Sequence, residues 1–538
     1  MPGTLMLCLL AAAGSIAASN PTVREEPIRA HMAFLSDDLL EGRGTGQRGG
    51  DLTVKYLEAQ LSALGLAPAA GDSFLQRVDV VGVKLLAASS RLSFSGPDRE
   101  YSPAFFDEVV VGAGNGMPDN AIDAPVMFVG FGIDAPAERW DDYKGTDCRG
   151  KLLVMMVNEP PPTPDEPARF DGENLTYFGR WMYKFEEAAR RGAAGVLLIH
   201  TDATASYGWS VARTGYQGEK FQLLEGPRLT PLQGWIREDA ARTLFGLAGK
   251  DLDELRRRAE SRDFRPVELN VRAKGRLVSA VRSFPQFNVA AVLEGTDPAL
   301  KGELVVYSAH WDHFGIQDGQ IRNGAVDNAS ACATLLAIAQ ASVGHPARRS
   351  LMFLFTCCEE QGLLGSLAYV QRPLWPLDRT IADLNLESLN WVGPSRDIEF
   401  LGGERSDLKE LGEQTAREMG MVLRPSDPDV AGLYFRSDHF PFAKAGIPAL
   451  SPGFSLAGQR DYLEAPEASR AKARTFLDRY HQVSDDYDPA WDLRGMVQQG
   501  QFILNLGRRI ADAPTRPQWR PVATTGLSPL GSAPPASR

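Results

Sequence analysis

The spacing of apolar residues divides the chain into three textures. From Pro27 to about Pro68 they recur at helical spacing, first in His31-Met-Ala-Phe-Leu35 and then in Lys55-Tyr-Leu-Glu-Ala-Gln-Leu-Ser-Ala-Leu-Gly65, which predicts two helices. Between about Ala121 and Arg272 short apolar runs (Val126 to Val129, Leu152 to Val157, Val196 to Ile199) alternate with Pro- and Gly-rich turns, and one helical stretch, about Trp181 to Arg191, leads through Gly192 into the Val196 run. That texture predicts a smaller β-rich module with its own core. From about Phe287 the pattern becomes regular. Runs at Glu303–Tyr307, Leu351–Phe355, Ile381–Leu386 and Ile447–Leu450 alternate with helical stretches at Ala329–Ser342, Leu363–Gln371, Asp407–Met419 and Leu493–Ile510. Such alternation predicts an α/β fold, a mixed, mostly parallel sheet with helices on both faces. The expected organisation is a first part over 20–120, the module over 121–272 and the main α/β domain over 273–513. A Pro-, Ser-, Gly- and Thr-rich tail over 514–538 is expected to be disordered.

Between the first two helices lies the polar loop Glu41-Gly-Arg-Gly-Thr-Gly-Gln-Arg-Gly-Gly50, in which Gly44, Gly46 and Gly49 satisfy G-x-G-x-x-G. A dinucleotide fingerprint follows a strand, and here a helical pattern precedes it, so the loop is read as structural. Met1 to Ser19 carries an apolar run followed by small residues at Ala17, Ala18 and Ser19, the pattern of a signal peptide, and predicts export to the periplasm or the extracellular space. No stretch reaches the roughly 20 apolar residues of a membrane span. The formal net charge of −11 argues against non-specific binding of nucleic acid. The cysteines lack C-x-x-C spacing, and adjacent Cys357 and Cys358 read as buried small hydrophobes.

Chemistry gathers where the regular half places its strand ends. In an open α/β sheet, ligands collect at the carboxyl ends of the strands. His310 follows the Glu303–Tyr307 run, Glu359-Glu360 follow Leu351–Phe355, Glu387 follows Ile381–Leu386, and Asp327 stands just before the Ala329 helix. The chain has only seven histidines. His313 and His345 are read as core or surface residues, and His439 as that or as a supporting group beside the ligands. His310 stands two residues before Asp312, a carboxylate placed to hold the free imidazole nitrogen of a metal-bound histidine. With His481, these residues make a ligand inventory for two neighbouring divalent cations: His310, Asp327, Glu360, Glu387 and His481. Glu359 is left over to move a proton.

The segments Ser308-Ala-His-Trp-Asp-His, Gly324-Ala-Val-Asp-Asn-Ala-Ser, Glu359-Glu-Gln-Gly-Leu-Leu-Gly-Ser, Tyr434-Phe-Arg-Ser-Asp-His and Tyr480-His-Gln-Val-Ser-Asp-Asp resemble the co-catalytic di-zinc aminopeptidases, relatives of bacterial leucyl aminopeptidase and of the glutamate carboxypeptidase II group. The resemblance spans roughly Glu26 to Asp512. The 121–272 segment, with Trp140-Asp-Asp-Tyr-Lys-Gly and Gly192-Ala-Ala-Gly-Val, is similar to an inserted protease-associated domain. The resemblance implies two Zn2+ per chain, one held by His310, Asp327 and Glu387 and the other by Asp327, Glu360 and His481. It further implies Glu359 as general base, Asp312 orienting His310, Tyr434 holding the oxyanion and a cis peptide after Asp327. Glu387 departs from the Asp more usual in relatives and lengthens that ligand by one methylene. The implied function is an exported exopeptidase, first of all an aminopeptidase, that attacks peptide substrates with a water bridging the cations. A glutaminyl cyclase-like transferase, a carboxypeptidase using Arg436 to pair a substrate carboxylate, and a non-catalytic receptor-like protein remain as alternatives.

Overall fold

The computed structural model describes residues 20–205, 207–425, 427–453 and 459–520; the expected signal peptide, Met1 to Ser19, and most of the expected tail lie outside them. The predicted strands and helices of the regular half are present within a few residues of their expected bounds. We label β1 (Leu75–Leu85), β2 (Val267–Leu293), β3 (Leu304–His310), β4 (Ser350–Thr356), β5 (Thr380–Asn385) and β6 (Ala449–Pro452). Across the main sheet they run β1-β2-β4-β3-β5-β6. The pairs β4–β3, β3–β5 and β5–β6 are parallel, and β1–β2 and β2–β4 are antiparallel. The sheet is thus parallel at its centre with an antiparallel flank.

Every residue of β3 and β4 is buried, which explains why both read as unbroken apolar runs rather than alternating ones. Their side chains alternate between two cores. Val305, Tyr307 and Ala309 pack with the helices Glu25–Leu35, Ser330–Ser342 and Arg494–Asp512, while Leu304 and Val306 join the cluster that contains Phe94, Val126, Leu152 and Leu197 of the module. The module therefore packs against one face of the main sheet and shares its core.

The module's own sheet contains the parallel strands Asp119–Phe128, Leu152–Met156, Gly195–His200 and Leu232–Arg237, with the helix Trp181–Arg190 leading into the third. It also includes Arg91–Ser95 and Val109–Gly112, so its strands begin before Ala121. The amino-terminal part of β2 pairs with Arg91–Ser95 and Asp119–Phe128, and Ser279–Val289 of the same strand pairs with β1 in the main sheet. This strand of 27 residues belongs to both sheets. The first residues of the Pro-rich tail are packed: Trp519 Nε1 donates to the Gly446 carbonyl (2.8 Å) and its backbone bridges Ser406. Among the described residues no helix is long and apolar enough to cross a membrane.

Candidate metal centre and active site

His310 is the last residue of β3, and Glu359-Glu360 stand in the turn after β4. Glu387 stands just after β5. Parallel neighbours β3, β4 and β5 thus deliver an imidazole and three carboxylates to one edge. Asp327 reaches the same edge from the turn Ala325–Ala329 before the helix Ser330–Ser342, and the Asp327–Asn328 peptide is cis. Gly324 opens that turn at φ +57°. A Cβ there would stand 2.1 Å from the Asp327 carbonyl and 2.5 Å from the His313 ring, so only glycine fits.

Asp327 sits at the centre. Its Oδ1 is 3.4 Å from His310 Nε2, and its Oδ2 is 3.2 Å from His481 Nε2. Glu387 Oε1 lies 3.3 Å from His310 Nε2, and Glu360 Oε2 lies 3.4 Å from His481 Nε2. Two corners result, each with one imidazole, one carboxylate of its own and one oxygen of Asp327. Ligand atoms about 2.0–2.1 Å from a tetrahedral zinc would be about 3.3–3.4 Å from each other. The corners therefore fit zinc in both donor type and spacing. Glu387 Oε2 and His481 Nε2 are buried without a hydrogen-bond partner, a cost that a bound cation would remove. The additional methylene of Glu387 does not carry its carboxylate away from His310.

The charges also favour a cation. Burial opposes ionisation of His310, yet Glu387, Glu359 and Asp327 raise its pKa well above the ordinary value. Burial, together with the neighbouring carboxylates, raises Glu359 strongly and Glu360 to about 8. Burial raises Glu387 as well. Asp327, against the same burial, is held well below its usual value by the neighbouring imidazoles of His310 and His481. Carboxylates crowded this closely need protons or metal.

Residues beneath the ligands hold them. Asp485 accepts hydrogen bonds from Val326 N (3.1 Å) and Asp327 N (3.1 Å), fixing the turn that carries the shared carboxylate. His313 Nδ1 meets Glu360 Oε1 at 2.6 Å, leaving Oε2 for the His481 corner, and burial lowers the His313 pKa to about 4. Asp438 takes hydrogen bonds from Thr356 and Ser366. Arg43, in the glycine-rich loop, is 1% exposed and donates to the carbonyls of Trp311 (2.8 Å), Leu35 (2.5 Å), Asn323 (2.6 Å) and Gly324 (2.9 Å). The loop is structural, as its context predicts, and it clamps the segments that carry His310 and Asp327.

Four expectations change in the structure. His310 Nδ1 lies 3.0 Å from the backbone carbonyl of Asp312, whereas the Asp312 carboxylate is 4.0 Å away and accepts from Glu359 N at 3.0 Å. The main chain therefore sets the tautomer, and the side chain steadies the Glu359 turn. Tyr434 is buried with its hydroxyl donating to the Ala449 carbonyl (3.0 Å), which makes it a packing residue. His439 lies against Tyr434 with ring centroids 4.7 Å apart, and burial lowers its pKa to about 3; it belongs to that packing and does not support a ligand. His313, read as an ordinary core or surface histidine, is instead part of the cluster.

Tyr480 was missed. Its ring stacks on His481 (3.6 Å between centroids, 26°), and its phenol is raised by desolvation and then by Asp327, Glu360, Glu359 and Glu387. The cue was its position immediately before a ligand histidine. Asp485 offered a weaker cue, four residues after that histidine. Arg436 is half-buried with Nη2 on the Ala431 carbonyl (2.8 Å).

The family model of peptidase family M28 matches residues 288–506, which hold every corner residue and Glu359. This part of the chain is similar to peptidase family M28. The chain is accordingly an enzyme, a metallo-exopeptidase acting on peptide bonds. The M28 segment begins inside β2, at the residues that pair with the main sheet, and leaves the module outside. No curated protein matches the chain. Among solved structures, the chain is similar to an aminopeptidase from Aneurinibacillus sp. strain AM-1, at 16% identity over 92% of this chain and 96% of that one, with a TM-score of 0.49. It is also similar to BSAP, a zinc aminopeptidase from Bacillus subtilis (17%, 91% and 95%, TM-score 0.44), and to a peptidase M28 precursor from Shewanella amazonensis SB2B (17%, 93% and 95%, TM-score 0.43).

Proposed function

We propose that the chain is an exported zinc-dependent aminopeptidase that removes N-terminal residues from peptides and holds two zinc ions. The observation that carries this reading is the division of Asp327, one oxygen 3.4 Å from His310 and the other 3.2 Å from His481. The M28 match supplies the peptidase class, and the resemblance of the five motifs supplies the preference for N-termini.

His310, Asp327 and Glu387 would hold one ion, and Asp327, Glu360 and His481 the other. Bound there, the ions would polarise the scissile carbonyl and acidify a water. Glu359 is left free of both corners. Its backbone N–H is pinned to Asp312 Oδ1, and its Oε2 lies 3.9 Å from His310 Nε2. It takes the proton from the attacking water and returns it to the departing amine. Burial raises its pKa well above that of an ordinary glutamate, which makes it a stronger base towards the attacking water. Tyr480 offers its hydroxyl to the developing oxyanion, the role that buried Tyr434 does not fill.

The test combines elemental analysis of purified protein with hydrolysis of aminoacyl p-nitroanilides. Two zinc ions per chain and chelator-sensitive release of nitroaniline are expected. One ion per chain with pyroglutamate formation from N-terminal glutaminyl peptides would instead establish a cyclase.

A further inference from the structure

The Glu360–His481 corner is braced by a short stretch of chain that the mechanism does not use. Residues 313–322 follow directly on His310 to Asp312 and fold back as a hairpin of the strands Gly315–Gln317 and Gln320–Arg322. The first residue of the stretch, His313, is fully buried, and its Nδ1 stands 2.6 Å from Glu360 Oε1. Phe314 meets the His481 ring edge to face with centroids 4.6 Å apart, and Arg322 Nη1 donates to the His481 carbonyl at 2.8 Å. The corner has need of such support, because it is the less enclosed of the two. The His481 side chain is 31% exposed against 1% for His310, and it leaves the helix Pro466–Arg479 through a turn in which its own φ is +61°.

His313 is itself fixed on three sides. Its N–H donates to the Arg43 carbonyl (3.3 Å), its ring fills the space in which a Cβ on Gly324 would come within 2.5 Å, and Phe314 packs edge to face on it with centroids 5.0 Å apart. An ionised carboxylate only accepts hydrogen bonds, so the 2.6 Å contact places a ring proton on Nδ1. Glu360 thus spends Oε1 on His313 and keeps Oε2, 3.4 Å from His481 Nε2, for a cation. Glu387 in the other corner has no counterpart to this bond, since its Oε2 is buried without a partner. His313, Asp327 and Glu360 also offer ligand atoms within 4.8 Å of one another. With Nδ1 engaged by Glu360, however, the ring is placed to hold a ligand and not to be one.

We propose that His313 is a positioning residue for the second zinc: its Nδ1–H makes Glu360 a one-oxygen ligand aimed at the His481 corner, and it does nothing equivalent for the His310 corner. The proposal rests on the two-zinc reading above. Hydrogen-bond partners of this kind behind a metal ligand are worth about 10–100-fold in metal affinity, and here that effect falls on one ion of the pair.

The experiment measures zinc per chain and both dissociation constants, by competition with a chromophoric chelator, in the wild type, His313→Leu and His313→Asn. Leucine fills much of the ring's space without a donor, whereas the amide nitrogen of asparagine lies near the position of Nδ1. His313→Leu should hold its second zinc about 10–100-fold more weakly and its first as the wild type does, and His313→Asn should recover most of the loss. His313→Gln, with its amide one bond further out, should behave as His313→Leu and takes its place if that variant does not fold, the zinc-free melting midpoint being the check on folding. An unchanged second constant in the variants without the donor would overturn the proposal, and so would equal weakening of both ions. An equal loss in His313→Leu and His313→Asn would overturn it too, because the ring would then be a ligand or a packing group. Wild-type protein that binds fewer than two zinc ions would instead overturn the two-zinc reading.

Discussion

Replacing Arg43 by methionine tests whether the glycine-rich loop really clamps the metal centre. The side chain is buried and donates to the carbonyls of Trp311, Leu35, Asn323 and Gly324. Methionine roughly preserves the stem and removes every donor, leaving those carbonyls to find water in a packed site. An unsatisfied buried polar group costs about 1–3 kcal/mol, and the avoided desolvation of the guanidinium returns part of the total. A net loss of about 3–5 kcal/mol follows, a large part of the 5–15 kcal/mol that typically separates folded from unfolded chains. At about 2.1 cal/mol/K per residue, a unit of roughly 500 residues unfolds with an entropy of about 1 kcal/mol/K, so each kcal/mol moves the melting midpoint by about 1 °C and a fall of about 3–5 °C is expected by calorimetry. Trp311 is adjacent to His310, and Gly324 opens the Asp327 turn, so zinc affinity measured by competition with a chromophoric chelator should fall by about 10–100-fold. A variant with an unchanged midpoint and unchanged zinc affinity would refute the clamp.

Glu359→Gln should retain two zinc ions and lose about 10²–10⁴ in kcat, whereas Glu360→Gln should lose one ion; elemental analysis beside steady-state kinetics separates them. Tyr480→Phe should lower kcat by about 10²–10³ with little change in KM, and Tyr434→Phe should chiefly lower the melting temperature through the lost bond to Ala449. The pH response should reverse with metal. Glu360 is raised from 4.5 to about 8 and Asp312 from 3.8 to about 7. Their contribution to stability without metal is therefore complete below the lower values and disappears as pH rises through the higher ones. Chelated protein should melt at a higher temperature at pH 5 than at pH 8, and zinc-loaded protein in the opposite order, because zinc requires deprotonated ligands.

The main sheet was legible because its central strands are buried on both faces and its helices carry a clear period, so β3, β4 and β5 appear as apolar blocks followed by ligands. The metal corners were legible for the same reason: topology alone gathers the ends of parallel strands. Side-chain partners were harder to read. Tyr434 and Tyr480 both stand in suggestive segments, and only the three-dimensional path shows that one hydroxyl is spent on Ala449 while the other ring lies on His481. His313 resembled any buried histidine until Glu360 came within 2.6 Å. The module's first strands escaped because Arg91–Ser95 and Val109–Gly112 are short and lie among polar turns.

The long strand β2 has a consequence for how this molecule can be taken apart. Residues 267–278 are bonded into one sheet and 279–293 into the other, and the core between the sheets is continuous. No cut in the chain releases the module intact while leaving the peptidase with its own edge, because either fragment would carry half a strand with nothing to pair. Genetic deletion of the module would expose the backbone of β2 and the apolar face formed by Leu304, Val306, Met352 and Leu354, creating an aggregation-prone edge. The two halves should therefore be inherited, expressed and unfolded as one piece, and a single calorimetric transition is the expected signature of that indivisibility.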